Sequence, residues 1–306
     1  MGAKTLFAMT VSVLALAACS ASPAPTSGAP QSAAGSVIQV VAAENFWGSV
    51  AAQLGGSHVQ VTSIIDSPDA DPHDYEPTAA DGRAIAAADL VVINGVGYDT
   101  WATKLSAANP NPDRTDLTVG ELVGVAEGGN PHRWYNPDDV MRVVDQLTAD
   151  YKRISPGDAS YFDAQRTAFL TTGIAGYKAV IADIKARYGG TPVGASESIF
   201  AMIAPALGLD LITPPSFLKA ISEGTDPTAG DKATIDAQIA GKKIKVYVYN
   251  SQNATPDVQA QIAAAKAQGI PVSTITETMT PATASWQQWQ TAQLVALRDA
   301  LAEAAR

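Results

Sequence analysis

The chain contains three histidines, and two of them sit in matching surroundings. One lies in Pro72-His73-Asp74-Tyr75-Glu76-Pro77, the other in Pro131-His132-Arg133-Trp134-Tyr135-Asn136-Pro137. Each follows a proline, has an aromatic residue two positions on, and runs to a second proline placed to open a helix. A proline fixes the backbone ahead of the imidazole and a helix start fixes it behind, so the ring is held in a stiff loop. Imidazole is a ligand for Zn, Mn, Fe, Ni and Cu. Either histidine alone would read as an ordinary loop residue or a helix cap. As a pair with shared flanks, in a chain so poor in histidine, His73 and His132 read as metal ligands. His58 lies in a polar, hairpin-like stretch and reads as a surface residue.

Such side chains need rigid elements beneath them. Val37 to Ala42 and Val59 to Ile65 read as strands, with a helix from Phe46 to Leu54 between them that Gly55-Gly56 stops. Thr78 caps a helix through Ala87, and Leu90 to Asn94 is a third strand. A second set follows: strands at Pro192 to Ala195, Ile244 to Tyr249 and Val272 to Ile275, and helices at Ile199 to Leu207, Asp257 to Gln268 and Ser285 to Ala305. Between the sets, Ser155 to Tyr188 keeps roughly helical spacing of Phe162, Phe169, Tyr177, Ile181, Ile184 and Tyr188. A helix of that length would reach roughly 50 Å at 1.5 Å per residue. Gly173 and Gly176 leave room for a kink within it. The fold class expected is therefore α/β: two similar lobes, 37–154 and 189–306, with mainly parallel sheets, joined by one long helix over 155–188. Ligands of such sheets bind beyond the carboxyl ends of the strands, which places a site in the cleft between the lobes.

The first residues have a different character. Lys4 followed by an apolar stretch to Ala18 is too short to span a membrane and reads as a signal peptide over 1–18. Leu16-Ala17-Ala18-Cys19 resembles a bacterial lipobox, in which cleavage leaves Cys19 as a lipid-bearing N-terminus. Cys19 is the only cysteine, so the domain carries no internal disulfide. Residues 19–36, rich in Ala, Ser, Pro and Gly, read as a disordered tether between lipid and domain. The expected location is extracytoplasmic, anchored by lipid to the bacterial cell membrane. A formal charge of -10 argues against a nucleic-acid partner.

From Val37 onward the chain resembles the substrate-binding lipoproteins of manganese, zinc and iron ABC transporters. Pro72-His73-Asp74-Tyr75-Glu76-Pro77-Thr78 matches that family's first ligand motif, and Pro131-His132-Arg133-Trp134 its second. The resemblance implies a third ligand opening a helix of the second lobe. Ser196-Glu197-Ser198-Ile199-Phe200 looks like the family's glutamate version of it. It also implies a fourth ligand, usually Asp, just after the last strand. Thr276-Glu277-Thr278-Met279 stands there instead, and the longer Glu277 must reach from further back or bind in another mode. Both glutamates fall at expected strand ends, although a helix's first turn often holds an acid simply to complement its dipole. Glu223, in Ser222-Glu223-Gly224-Thr225, resembles a stretch that shapes the second lobe.

The resemblance implies capture of a divalent ion, Mn2+ or Zn2+ with Fe2+ as a further candidate, by a monomer that delivers it to a membrane permease with its cytoplasmic ATPase. Carboxylate donors and the lack of a His-rich stretch in 123–130 favour Mn slightly, while the Irving–Williams order favours Zn. No catalytic cofactor and no enzymatic activity are expected. Two rivals remain: an exported metallohydrolase using the same side chains, and a binding protein for an organic solute lined by Trp134 and Tyr75. No His-Glu-x-x-His or Gly-x-Ser-x-Gly motif supports the hydrolase.

Overall fold

The computed structural model describes residues 37–67 and 75–306. The signal, Cys19 and tether assignments lie outside the described residues. The first lobe contains β1 (Ile38–Glu44), α1 (Asn45–Gly55), β2 (Val59–Ile65), α2 (Ala79–Ala87), β3 (Leu90–Ile93), α3 (Thr100–Ala108), β4 (Thr115–Thr118), α4 (Val119–Val123) and α5 (Pro137–Ile154). Next come α6 (Ala159–Ala168), a π-helical turn (Phe169–Gly173) and α7 (Ala175–Tyr188). The second lobe contains β5 (Pro192–Ala195), α8 (Ser198–Leu207), β6 (Asp210–Leu211), α9 (Pro215–Ser222), α10 (Ala229–Ala240), β7 (Tyr247–Asn250), α11 (Pro256–Ala267), β8 (Val272–Ile275) and α12 (Trp286–Ala304).

Each lobe has a four-stranded sheet, ordered β2-β1-β3-β4 and β6-β5-β7-β8. Every described pairing is parallel. The two orders are the same permutation, so each sheet reverses its winding at one place, between β1 and β3 and between β5 and β7. Loops leaving the carboxyl ends diverge there and open a crevice.

The central strands read as unbroken apolar runs because both faces of the sheet are covered. In β1 and β3, Val40, Ala42, Leu90 and Val92 point into the main core, which continues into the second lobe through Tyr177, Ile184 and Phe200. Val41, Ala43, Val91 and Ile93 point the other way, under Ile85 of α2 and Trp101 of α3. Capping follows the sequence. Thr78 and Asp81 form a reciprocal capping box at α2, and Ser285 and Gln288 form another at α12. Asn136 caps α5, with Pro137 in its first turn.

The connecting helical stretch is not one regular α-helix. It widens into the π-helical turn ending at Gly173 and breaks at Ile174 (φ -102°, ψ 12°), which divides α6 from α7. Further departures are local. The strand expected from Ile244 begins only at Tyr247, with Ile244 and Val246 buried ahead of it. His58 is not in a hairpin. It closes a short 3-10 turn (Gly56–His58) between α1 and the parallel β2. There it stacks on Tyr161 of α6 at 3.9 Å and faces Asp158 at 3.2 Å, tying the first lobe to the connecting helices.

The start of α12 draws the lobes together. The Trp286 amide donates to Ser49 Oγ (2.9 Å), its indole N–H donates to the Trp134 carbonyl (3.2 Å), and Gln287 and Gln53 exchange hydrogen bonds of 2.6 and 3.0 Å.

Candidate metal centre

The site lies at the two winding reversals. On the first lobe, the turn after β3 has Gly95, Val96 and Gly97 at φ of 72°, 59° and 83°. Gly95 is obligatory in physical terms, because a Cβ there would also meet Thr118 Cγ2 at 2.7 Å. Asp99 locks the turn by accepting the Asn94 and Gly95 amides at 2.6 and 2.7 Å. Asn94 then reaches across: its amide donates to the Pro131 carbonyl at 2.9 Å, and its Oδ1 accepts the Trp47 indole at 3.1 Å. The loop carrying His132 is thus pinned to the end of β3.

The aromatic residue that follows the histidine packs behind it. Trp134 is fully buried, stacked on Phe46 with centroids 3.9 Å apart, and meets the His132 ring edge-on at 5.3 Å. Tyr98 approaches the same imidazole at 6.2 Å. Burial, reinforced by the charge of Glu277, holds the Tyr98 phenol well above its ordinary range, so it stays protonated.

Asn130 sets the tautomer of His132. Its Oδ1 accepts the His132 backbone N–H at 3.1 Å, and its Nδ2 donates to the Ser198 carbonyl at 2.7 Å. The amide therefore has only one orientation that satisfies both contacts. The same Oδ1 lies 2.9 Å from His132 Nδ1, so Nδ1 carries the proton and donates. That turns Nε2, the other ring nitrogen, toward Glu277 Oε1 at 3.6 Å. A carbonyl partner behind the ring is the usual support of a metal-bound imidazole.

From the second lobe, Glu197 is the N-cap residue of α8, with no side-chain bond to the helix amides. Its carboxylate is not a dipole-complementing surface acid: the residue is 1% exposed and turned into the cleft. Asn250 Nδ2, at the end of β7, donates to Glu197 Oε2 at 2.9 Å and to Glu277 Oε2 at 3.4 Å. Asn253 Nδ2 donates to Glu197 Oε1. Gln252 holds the turn after β8, its Oε1 accepting the Glu277 and Thr278 amides at 2.7 and 2.9 Å. Tyr135 of the first lobe donates to the Thr276 carbonyl at 2.7 Å, next to Glu277.

Glu197 and Glu277 thus share the Asn250 amide, and His132 faces Glu277 across the cleft at 3.6 Å. His73 lies outside the described residues. Among the described residues, no three His, Cys, Asp or Glu side chains converge closely enough to hold a metal ion by themselves. Two imidazoles and two carboxylates would nearly neutralise a divalent cation, so the chemistry of the donor set fits one once His73 is added. Glu223 stands apart, exposed and paired with Lys219. Tyr75 packs on Trp101 at 4.8 Å, away from the cluster. The sequence reading missed the supporting amides Asn94, Asn130, Asn250, Gln252 and Asn253. The one signal available was the density of amide side chains in Asn250-Ser251-Gln252-Asn253 directly after a strand.

The paired parallel lobes define the class: a two-lobed α/β fold shared with periplasmic metal-binding proteins. The Mn-bound periplasmic metal binding protein from Candidatus Liberibacter asiaticus superimposes with a TM-score of 0.71 at 17% identity, covering 86% of this chain and 98% of that one. A crystal structure of ZnuA gives 0.70 at 17% identity, with the same coverage. At such identities the likeness is one of fold. The chain belongs to the family "Zinc-uptake complex component A periplasmic" (ZnuA), which matches residues 40–300. Among relatives, the manganese-binding lipoprotein MntA of Halalkalibacterium halodurans is 28% identical over 172 residues, 55% of this chain and 55% of that protein. The manganese ABC transporter substrate-binding lipoprotein PsaA of Streptococcus mitis is 27% identical over 172 residues, 52% of this chain and 53% of that one. The chain spans about half the length of the curated relatives it matches. Among the described residues no helix is long and apolar enough to cross a membrane.

Proposed function

We propose that this protein captures one divalent transition-metal ion, Mn2+ or Zn2+, outside the cytoplasm and delivers it to an ABC-transporter permease. The ligands in this reading are His73 and His132 from the first lobe and Glu197 and Glu277 from the second. The observation that carries it is the placement of His132: a buried imidazole, held at Nδ1 by Asn130, whose Nε2 faces a carboxylate across the cleft. Family membership and the printed names of the manganese-binding relatives support the same reading. The ion is cargo and no residue is asked to do chemistry, so the protein is read as a binding protein and not an enzyme. A hydrolase would need a coordination position left open for water.

In this reading residues 1–18 are a signal peptide, Cys19 carries lipid, 19–36 tether the domain near the permease, and 155–188 join the lobes 37–154 and 189–306. The contacts of α12, Asn130 and Tyr135 across the lobes favour small movements on closure.

The test is metal titration of residues 37–306 after stripping with chelator, using Mn2+, Zn2+ and Fe2+ singly and in pairs. One ion per chain is expected, lost in His73→Ala and His132→Ala. Affinity should fall in acid, because a proton competes with the metal for each imidazole. Absence of stoichiometric binding by any of these ions overturns the proposal.

A further inference from the structure

The stretch Ser222-Glu223-Gly224-Thr225 is the stop of α9. Gly224 turns left-handed at φ 64°, its amide donates to the Ile221 carbonyl at 3.1 Å, and the Thr225 amide donates to the Ala220 carbonyl at 2.9 Å. These are the two bonds of a Schellman motif, and glycine suits its left-handed position. The stop fixes where Ser222, the last residue of α9, puts its hydroxyl. That hydroxyl accepts the Ser198 amide at 3.1 Å and lies 2.8 Å from Ser198 Oγ. Ser198 is the first residue of α8, so the end of α9 supplies an acceptor to the start of α8 from 24 positions along the chain.

The first amides of a helix have no partner within it. The residue ahead of them ordinarily supplies an oxygen, and a carboxylate there is drawn further by the helix dipole. At α8 that residue is Glu197, whose side chain makes no bond to the helix amides. Its oxygens go instead to Asn250 at 2.9 Å and to Asn253. Asn253 Nδ2 also donates to the Ile221 carbonyl at 3.1 Å, one residue before Ser222. The end of α9 therefore serves two needs. Ser222 takes an amide of α8 that Glu197 does not, and Ile221 anchors the asparagine that holds Glu197 away from the helix.

Resting on the reading of Glu197 as a ligand, we infer that Ser222 is a positioning residue: by capping α8 in place of Glu197, it leaves that carboxylate for the ion. Without the hydroxyl the Ser198 amide loses its acceptor, and the helix start competes with the metal for Glu197. The test is a cycle of Ser222→Ala and Glu197→Ala in the purified full chain, with Ser222→Thr as the variant that keeps a hydroxyl. Two quantities are read: the folding equilibrium constant of the metal-free protein from urea unfolding, and the affinity for Zn2+ and for Mn2+. Ser222→Ala is expected to lower the folding constant about twofold in the natural background, where Glu197 can turn to the amide, and about tenfold in the Glu197→Ala background, where that substitute is gone. Metal affinity should fall about tenfold in Ser222→Ala and return in Ser222→Thr. Equal losses of stability in the two backgrounds overturn the inference, because Glu197 then has no part in capping α8; alongside normal metal binding, that outcome leaves the metal reading standing. Unchanged metal affinity in folded Ser222→Ala overturns it as well, as does Ser222→Thr binding no better than Ser222→Ala. No binding of either ion by the natural protein overturns the ligand reading and, with it, the role of Ser222 toward the ion.

Discussion

Glu44 ends β1 with a carboxyl group that is fully buried, and neither oxygen has a hydrogen-bond partner of good geometry. Burial first, then the neighbouring charge of Asp99, pushes its pKa well above the ordinary 4.5. Asp99 is also raised by burial, but the Gly95 and Asn94 amides counter that, so of the two it is the better placed to hold the charge. Glu44 therefore keeps its proton in the fold while the unfolded chain loses it. The folded state binds more protons than the unfolded one above the ordinary glutamate range, and stability must fall as pH rises through that window. One retained proton corresponds to about 1.4 kcal/mol per pH unit, up to the point where Glu44 ionises in the fold. Glu44→Gln keeps the shape and removes the titration. Urea unfolding of metal-free 37–306, run at several pH values between about 5 and about 8, should show the variant gaining on the natural protein as pH rises, with a limiting slope of about 1.4 kcal/mol per unit while Glu44 stays protonated in the fold. Parallel stability curves would refute the reasoning, because they would mean that Glu44 is already ionised in the native state.

Trp134→Ala empties a fully buried site stacked on Phe46, and should cost about 3–5 kcal/mol by urea unfolding; a loss under about 1 kcal/mol would mean that the His132 loop does not depend on that packing. Arg133 and Asp139 form a mostly buried ion pair one residue beyond His132. Removing only one partner, as in Asp139→Ala, strands the other charge and should destabilise by about 3–5 kcal/mol, whereas stability equal to the natural protein would show that Arg133 finds water or another acceptor.

Much of the architecture was legible because it is written in local chemistry. Apolar runs of β1, β3 and β7 mark strands covered on both faces, and Thr78, Asn136 and Ser285 announce helix starts by supplying oxygen to orphan amides. The short β4 and β6 carry no such run: β4 reads Thr-Asp-Leu-Thr, and only pairing to β3 makes it a strand. The connecting stretch shows the limit of periodicity. Its apolar spacing announces helix throughout, yet the π-helical turn before Ile174 depends on hydrogen-bond pattern and not on composition.

The sequence by itself singled out His73 and His132 as candidate ligands, because two matched Pro-His loops in a chain with three histidines are a local, countable signal. It could not decide which nitrogen of His132 faces the cleft, that Glu197 is buried instead of exposed at a helix start, or that one asparagine bridges two carboxylates. Those facts depend on groups 53 and 27 positions apart along the chain, Asn250 with Glu197 and with Glu277, meeting only when the strand order of the second sheet brings the ends of β5, β7 and β8 side by side. Donor identity is a property of residues, whereas donor geometry is a property of the sheet that holds them.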